Sequence, residues 1–400
     1  MSTSHGKQLL WMGICFGIAF FIMLFDSRFY TNFWYIFYFG SLALLVLVLV
    51  IGQKVDGNKS WLTISSTIKI QPSEFAKFGT AIVLCKILSA KGFSFLPTSN
   101  KRAILRFRGI TLVDSTSEGV LTFLALIVPA SLILLENDTG STLVFLSFIL
   151  VFFRFGLSWI FMIAAVLMVI VFFATILLPV GWVLLTLLIL AILASVFFAG
   201  IRDSWITILI SLGLYAIALI VPFPWSIGVF VGLGIVAYFI RKKFGAAGMV
   251  VVLFTFFMAF TLSVKPLYND VLKPHHRTRI MVLLGKEKNR LGAAWGVYNS
   301  KVAIGSGGFF GKGYLQGSFT KLKFIPKQRT DFIFSTVGEE WGFWGSSLVL
   351  LIYLAFLVRL VLTADRQRNR FHMVYGYCVA CLMFFHYFMN IGTEIGRAHV

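Results

Sequence analysis

Charge is scarce in this chain. Only 12% of its 400 residues are Asp, Glu, Lys or Arg, and 59% are hydrophobic, where a soluble domain has roughly 25% charge. That excludes one soluble core, and the length is spent on membrane spans. Acid is scarcer still, with 15 Asp and Glu against 35 Lys and Arg, for a net charge of +20. The charges lie in short blocks between apolar runs. That distribution sets nucleic acid aside in favour of anionic headgroups, hence membrane lipid, and an anionic substrate. Cysteine is rare: Cys15, Cys85, Cys378 and Cys381, all in apolar segments. Cys378-x-x-Cys381 has redox or zinc spacing but no second pair, and it is read as packing. No H-x-x-x-H motif is present, and the adjacent His275 and His276 are poorly placed to share a metal. Gly311-Lys312 is not a Walker loop, because Gly313 stands where Ser or Thr is needed.

What is abundant is apolar and aromatic; Phe alone occurs 44 times. Runs long enough to cross a bilayer lie near 9–25, 33–51, 74–90, 120–136, 141–155, 158–178, 180–199, 204–221, 225–240, 246–264, 346–363 and 372–392. The expectation is an all-α polytopic transmembrane helix bundle of about twelve spans, since lipid cannot satisfy an open backbone. Lys91, Lys101, Arg102, Arg106 and Arg108 put the connection 91–119 on the cytoplasmic side. By alternation Arg154, Arg202, Arg241-Lys242-Lys243, Arg366, Arg368 and Arg370 also fall inside. The long connection 265–345 then lies outside, as does the N-terminus, with no signal-peptide pattern before it. One missing span upstream of Met1 repairs that parity. The last seven residues, EIGRAHV (394–400), read as the translation of a sequencing adapter, so this tail is expected to be non-native.

Five segments carry candidate chemistry. In QPSEFAK (71–77), Pro72 suits a first helical turn, and Glu74 and Lys77 share a helix face. They are either an anchoring ion pair or one wall of a substrate cavity, the reading preferred here because charge inside a span is expensive. In LLENDTGST, Asp138 is read as a helix cap. In KPHHRTRI, Arg277 and Arg279 lie just outside a span and suit a headgroup or a substrate pyrophosphate equally. In NSKVAIGSGGFFGKGYLQGS, glycines permit close backbone approach beside Lys301 and Lys312, as a re-entrant loop at a substrate groove or a plain loop. In KFIPKQRTDFIFSTVGEE, Asp331 follows Arg329 and Thr330 and precedes aromatics. It is read as a proton acceptor at the outer mouth or, alternatively, as a helix cap. Thr330 joins the substrate-binding set.

Together and in this order, the five segments resemble the SEDS family of RodA, FtsW and SpoVE. QPSEFAK is a family signature. ENDTGST is similar to Q-P-D-L-G-T, and HHRTRI to Y-Q-R-Q-R-V. The IGSGG and GKG wording is nearest the RodA form, and PKQRTDFIF is similar to P-E-x-H-T-D-F-I-F. The resemblance covers most of the chain and is weaker over about 160–245. It implies a peptidoglycan glycosyltransferase polymerising lipid II outside the cytoplasmic membrane, paired with a class B penicillin-binding protein in the cell-elongation machinery. The family's essential acid falls on Asp331, its cavity acid and lysine on Glu74 and Lys77, and its preceding tryptophan on Trp61. A flippase for the same lipid, or a scaffold for the wall machinery, are the alternatives. There are departures. Lys327 and Arg329 replace the Glu and His of P-E-x-H-T-D, and GKEKNR (285–290) replaces an acidic D-P-x-x-D-P run. No cofactor is read with certainty, and a divalent cation stays open. The family usually has ten spans, so one 1–393 domain is expected with four surplus helices between 160 and 264.

Overall fold

This computed structural model describes residues 4–55, 58–63, 69–90, 105–107, 110–113, 118–157, 159–220, 250–272, 274–284, 295–322, 324–326, 328 and 330–395. The expected span 225–240, the Arg241–Lys243 block, GKEKNR, Lys327 and Arg329 lie outside them.

Helices dominate. They are α1 (Ser4–Met23), α2 (Ser27–Asn32), α3 (Trp34–Ile51), α4 (Pro72–Leu88), α5 (Glu118–Leu135), α6 (Thr139–Phe145), α7 (Phe148–Arg154), α8 (Trp159–Leu177), α9 (Val180–Ile220), α10 (Val250–Asp270), α11 (Pro274–Leu283), α12 (Trp295–Ser306), α13 (Ser318–Lys321), α14 (Ile333–Asp365) and α15 (Arg370–Ile395). Among the described residues, strands are confined to short antiparallel pieces. β1 (Gln53–Val55), β2 (Asn58–Thr63) and β3 (Lys69–Ile70) pair in that order, and β4 (Leu105–Phe107) pairs with β5 (Ile110–Val113). Among the described residues five helices are long and apolar enough to cross a membrane: α3, the first part of α9, α10, α14 and α15. Five more apolar stretches are shorter. The chain is a multi-pass all-α membrane protein.

Three elements depart from the expected spans. The runs 180–199 and 204–221 form one helix of 41 residues, α9. At 1.5 Å per residue it is about 60 Å long, roughly twice the hydrocarbon thickness. Arg202 and Asp203 make its middle polar, but no proline interrupts it, and its well-separated Gly181, Gly200 and Gly213 are each tolerated in a helix. The run 141–155 is instead split into α6 and α7 by a tighter turn, in which Leu146 N donates to Leu143 O, Ser147 N to Val144 O and Ile149 N to Leu146 O. Finally, α14 begins at Ile333, ahead of the apolar run at 346, so GEEW (338–341) is helical although it reads as loop, and the helix kinks at Gly342.

The described chain falls into two compact units, residues 1–158 with 299–400, and residues 159–298. The first has α4 at its centre, packed mainly by α3, α5 and α15. Its core includes Leu45, Ile82, Leu84, Leu88, Ile133, Phe145, Phe148 and Phe152, each almost fully buried. Cys85 and Cys378 are buried in that core and all four thiols are free. The Cys-x-x-Cys spacing is therefore packing. The second unit gathers α8, α9 and α10 around Leu184, Leu187, Val251, Phe254 and Met258.

Candidate functional site

The site is built from α4 outward. Pro72 opens this helix and Gln71 precedes it in an extended conformation. The Gln71 amide donates to Asp138 Oδ2 at 2.7 Å. Asp138 caps α6, accepting from Ser141 N at 3.1 Å and Ser141 Oγ at 2.8 Å. The two motifs therefore meet, and Asp138 is a cap, as the sequence indicated. Trp61 lies half-buried on β2 opposite Gln53, on a strand that packs against α4.

One turn into α4, Glu74 and Lys77 form an ion pair at 2.7 Å. The Lys77 side chain is 5% exposed and that of Glu74 is 56% exposed. A buried ammonium needs more than one partner. The second is His386 of α15, whose Nε2 lies 2.8 Å from Lys77 Nζ. With Lys77 charged, the ammonium donates and Nε2 accepts, which puts the imidazole proton on Nδ1. One turn further along α15, Asn390 Nδ2 donates to the backbone oxygen of Asp331 at 3.1 Å. Residues four apart share a helix face, so this face of α15 links the Glu74–Lys77 pair to the segment carrying Asp331.

Asp331 is exposed in the turn before α14. It is not a cap. The N-cap of α14 is Phe332, with no side-chain capping bond. The first amides of that helix meet Glu394, whose carboxylate accepts from Ser335 N at 2.7 Å and Phe334 N at 3.4 Å. Glu394 is the first residue of the tail read as non-native. Thr330 is exposed and Lys301 is half-buried on α12. Arg277 belongs to the second unit, and its Nε donates to Leu272 O at 2.7 Å, latching α11 to the end of α10. The Arg279 side chain lies outside the described residues. Among the described residues no three His, Cys, Asp or Glu side chains form a metal-binding group.

The glycine-rich segment after α12 interlocks with α14. A Cβ on Gly307 would lie 2.0 Å from Gly338 O, and Gly342 kinks α14 with φ +64°. The amides of Lys312 and Gly313 donate to Glu339 O and Glu340 O, both at 3.0 Å, and Phe343 N donates to Gly308 O at 3.0 Å. Glu339 is fully buried and accepts from Lys312 Nζ, Phe319 N and Thr320 N at 2.9–3.0 Å. The segment is thus a loop bonded to the helix that follows Asp331. Sequence reading missed His386, Asn390 and Glu339. A histidine inside an apolar span is the signal that would have found the first.

The family model described as a cell cycle protein (FtsW, RodA, SpoVE) matches residues 2–185 and 184–398. The chain belongs to the FtsW/RodA/SpoVE family. Among curated proteins it is similar to the peptidoglycan glycosyltransferase RodA of Treponema pallidum (strain Nichols). They are 29% identical over 407 residues, spanning 99% of this chain and 82% of that protein. The peptidoglycan glycosyltransferase MrdB of Escherichia coli (strain K12) is 37% identical over 126 residues, 32% of this chain and 34% of MrdB. Among solved structures, a chain of a peptidoglycan synthase complex, described as coordinating polymerization and crosslinking, aligns with TM-score 0.54. It is 21% identical, over 98% of this chain and 80% of its own. The rod shape determining protein RodA of Thermus thermophilus aligns with TM-score 0.50, 20% identity, and 98% and 77% coverage. These structures share the family fold with this chain.

Proposed function

We infer that this chain is a peptidoglycan glycosyltransferase of the RodA kind, polymerising lipid II at the outer face of the bacterial cytoplasmic membrane during cell elongation and shape maintenance. Membership of the family over nearly the whole chain supports the activity. The observation that carries the site is the buried Lys77 held between Glu74 and His386, on the same face of α15 that ties down Asp331.

In this reading a sugar hydroxyl of one lipid-linked disaccharide attacks the anomeric carbon of another. The hydroxyl proton passes to the Asp331 carboxylate, and undecaprenyl pyrophosphate leaves with the bonding pair. Asp331 suits the role of base because it is exposed on a segment that backbone contacts hold in place. Glu74, Lys77 and Trp61 shape the groove. Lys301, Arg277 and Arg279 keep their assignment to the leaving pyrophosphate as a proposal from residue type, since cations stabilise developing negative charge. Thr330 binds substrate beside the base. A class B penicillin-binding protein is the proposed partner. The named relationship of polymerization to crosslinking in the similar synthase complex supports that assignment.

The test is polymerisation of purified lipid II in detergent by the full chain with its partner. Glycan strands are expected from the parent, whereas a flippase would produce none. Asp331→Asn should lower strand synthesis by about 10²–10⁴-fold while leaving membrane insertion unchanged. Undiminished synthesis by that variant would remove Asp331 from the mechanism.

A further inference from the structure

A second polar cluster lies at the end of the first unit where α7 stops, α14 stops and α15 begins. It encloses an open cavity of about 370 Å³ lined by Arg154, Phe155, Gly156, Arg370, Met373 and Tyr377. Its walls are built rather than incidental. α7 ends in a Schellman turn, with Gly156 N donating to Phe153 O and Leu157 N to Phe152 O and Gly156 at φ +106°. A Cβ on Gly156 would meet nothing within 4 Å, so the backbone there faces open space. Arg154 is fixed in direction: Nε donates to the Tyr377 hydroxyl at 3.0 Å, Nη2 pairs with Asp365 at 3.2 Å, and the guanidinium lies 5.5 Å from the Tyr377 ring centre. Tyr377 in turn donates to Asp365. The Arg154 side chain nonetheless stays 60% exposed, and Arg370, the first residue of α15, is exposed. Arg154 and Arg370 line the opening and Asp365 pairs with Arg154, which leaves a net positive mouth over an apolar floor of Phe155 and Met373; Arg366 and Arg368 lie in the same short connection between α14 and α15.

We propose that this cavity binds the headgroup of an anionic phospholipid, with Arg154 and Arg370 holding its phosphate. Phe155, Met373 and the Tyr377 ring lie against the glycerol and the first acyl carbons. The guanidiniums at its rim match phosphate oxygens of either source, and two observations select a lipid over a free phosphate. The cavity sits at the ends of apolar helices, the level at which membrane phosphates lie. Its floor is apolar, which a hydrated inorganic ion does not use. The arginine bias of this end places it at the inner leaflet. The site is separate from the Lys77 constellation and needs no catalytic turnover.

The experiment titrates short-chain phosphatidylglycerol into the detergent-purified full chain and counts bound lipid by native mass spectrometry. One saturable phosphatidylglycerol is expected, with phosphatidylcholine binding much more weakly. A guanidinium that touches the phosphate is worth about tenfold in affinity, so R370Q should weaken binding about tenfold and R154Q/R370Q about a hundredfold. The charge-matched control R366Q/R368Q removes two arginines that do not line the cavity and, because exposed charges at a distance are screened, should keep the parent affinity within about twofold. R370Q reads the site even if removing Arg154 disturbs the Tyr377–Asp365 contact. Unchanged binding in R370Q, or equal losses in the two double variants, would overturn the site. Displacement of the lipid by equimolar inorganic phosphate would overturn the assignment to a lipid.

Discussion

Lys77 is the residue at which burial and charge conflict most sharply. Its ammonium is 5% exposed and survives there because Glu74 and His386 flank it. Removing one partner of such a group leaves a donor unmet, at about 1–3 kcal/mol. His386→Leu should therefore lower the thermal midpoint of the detergent-purified protein by that equivalent and reduce strand synthesis. His386→Gln, which restores an accepting oxygen, should recover most of both. Equal behaviour of the two variants would separate His386 from Lys77. Glu136, in the elbow after α5, poses the opposite case. It is fully buried and neither carboxyl oxygen has a hydrogen-bond partner. Glu136→Gln should raise the thermal midpoint of the detergent-purified protein, because a neutral amide of the same shape is less costly to bury without a partner than an ionisable carboxyl. A lower midpoint would show that the carboxyl is partnered.

The decisive element is α14 with the loop locked onto it. Four backbone amides cross between the segments, at Lys312, Gly313, Phe343 and Trp344, and the helix opens at Gly342 to receive them. The contact is so close that Gly307→Ala must move backbone, since its Cβ would meet Gly338 O at 2.0 Å. Overpacking of this kind costs about 1–3 kcal/mol. Glu339→Ala should cost about 3 kcal/mol, the lower end for a broken buried pair, because Lys312 keeps 29% exposure. Both substitutions should lower the thermal midpoint, and strand synthesis should fall with it, because this loop leads through α14 to Asp331. A Gly307→Ala protein as stable as the parent would mean that the two segments are not in register as described. The tandem glycines were visible in the sequence as permission for close approach, but the partner of that approach was not. GEEWG reads as a polar linker until Glu339 is seen accepting bonds from residues 19, 20 and 27 positions upstream.

At the scale of the molecule, apolar helices and a net charge of +20 make a multi-pass membrane protein with basic polar ends. The chain should remain in the membrane pellet after high-salt and alkaline carbonate washes and leave it only with detergent; release by carbonate would contradict the spans. Its two units differ in kind. The first carries Glu74, Lys77, Asp331 and the phospholipid cavity, while the second holds Arg277 with its guanidinium bonded to the end of α10.

What was legible in the residues alone is that this is a helical membrane protein, that Glu74 and Lys77 share a helix face, and that Asp138 caps a helix. Those are consequences of composition and of spacing within a few residues, which act locally wherever the segment sits. Packing between distant segments settled that Lys77 has a second partner, 309 residues away, that Asp331 caps no helix although its segment is tied to that same α15, and that two arginines from distant segments share one cavity. Each depends on which helices pack together. That choice is made by shape and by the need to satisfy buried polar groups, neither of which is written within any single segment.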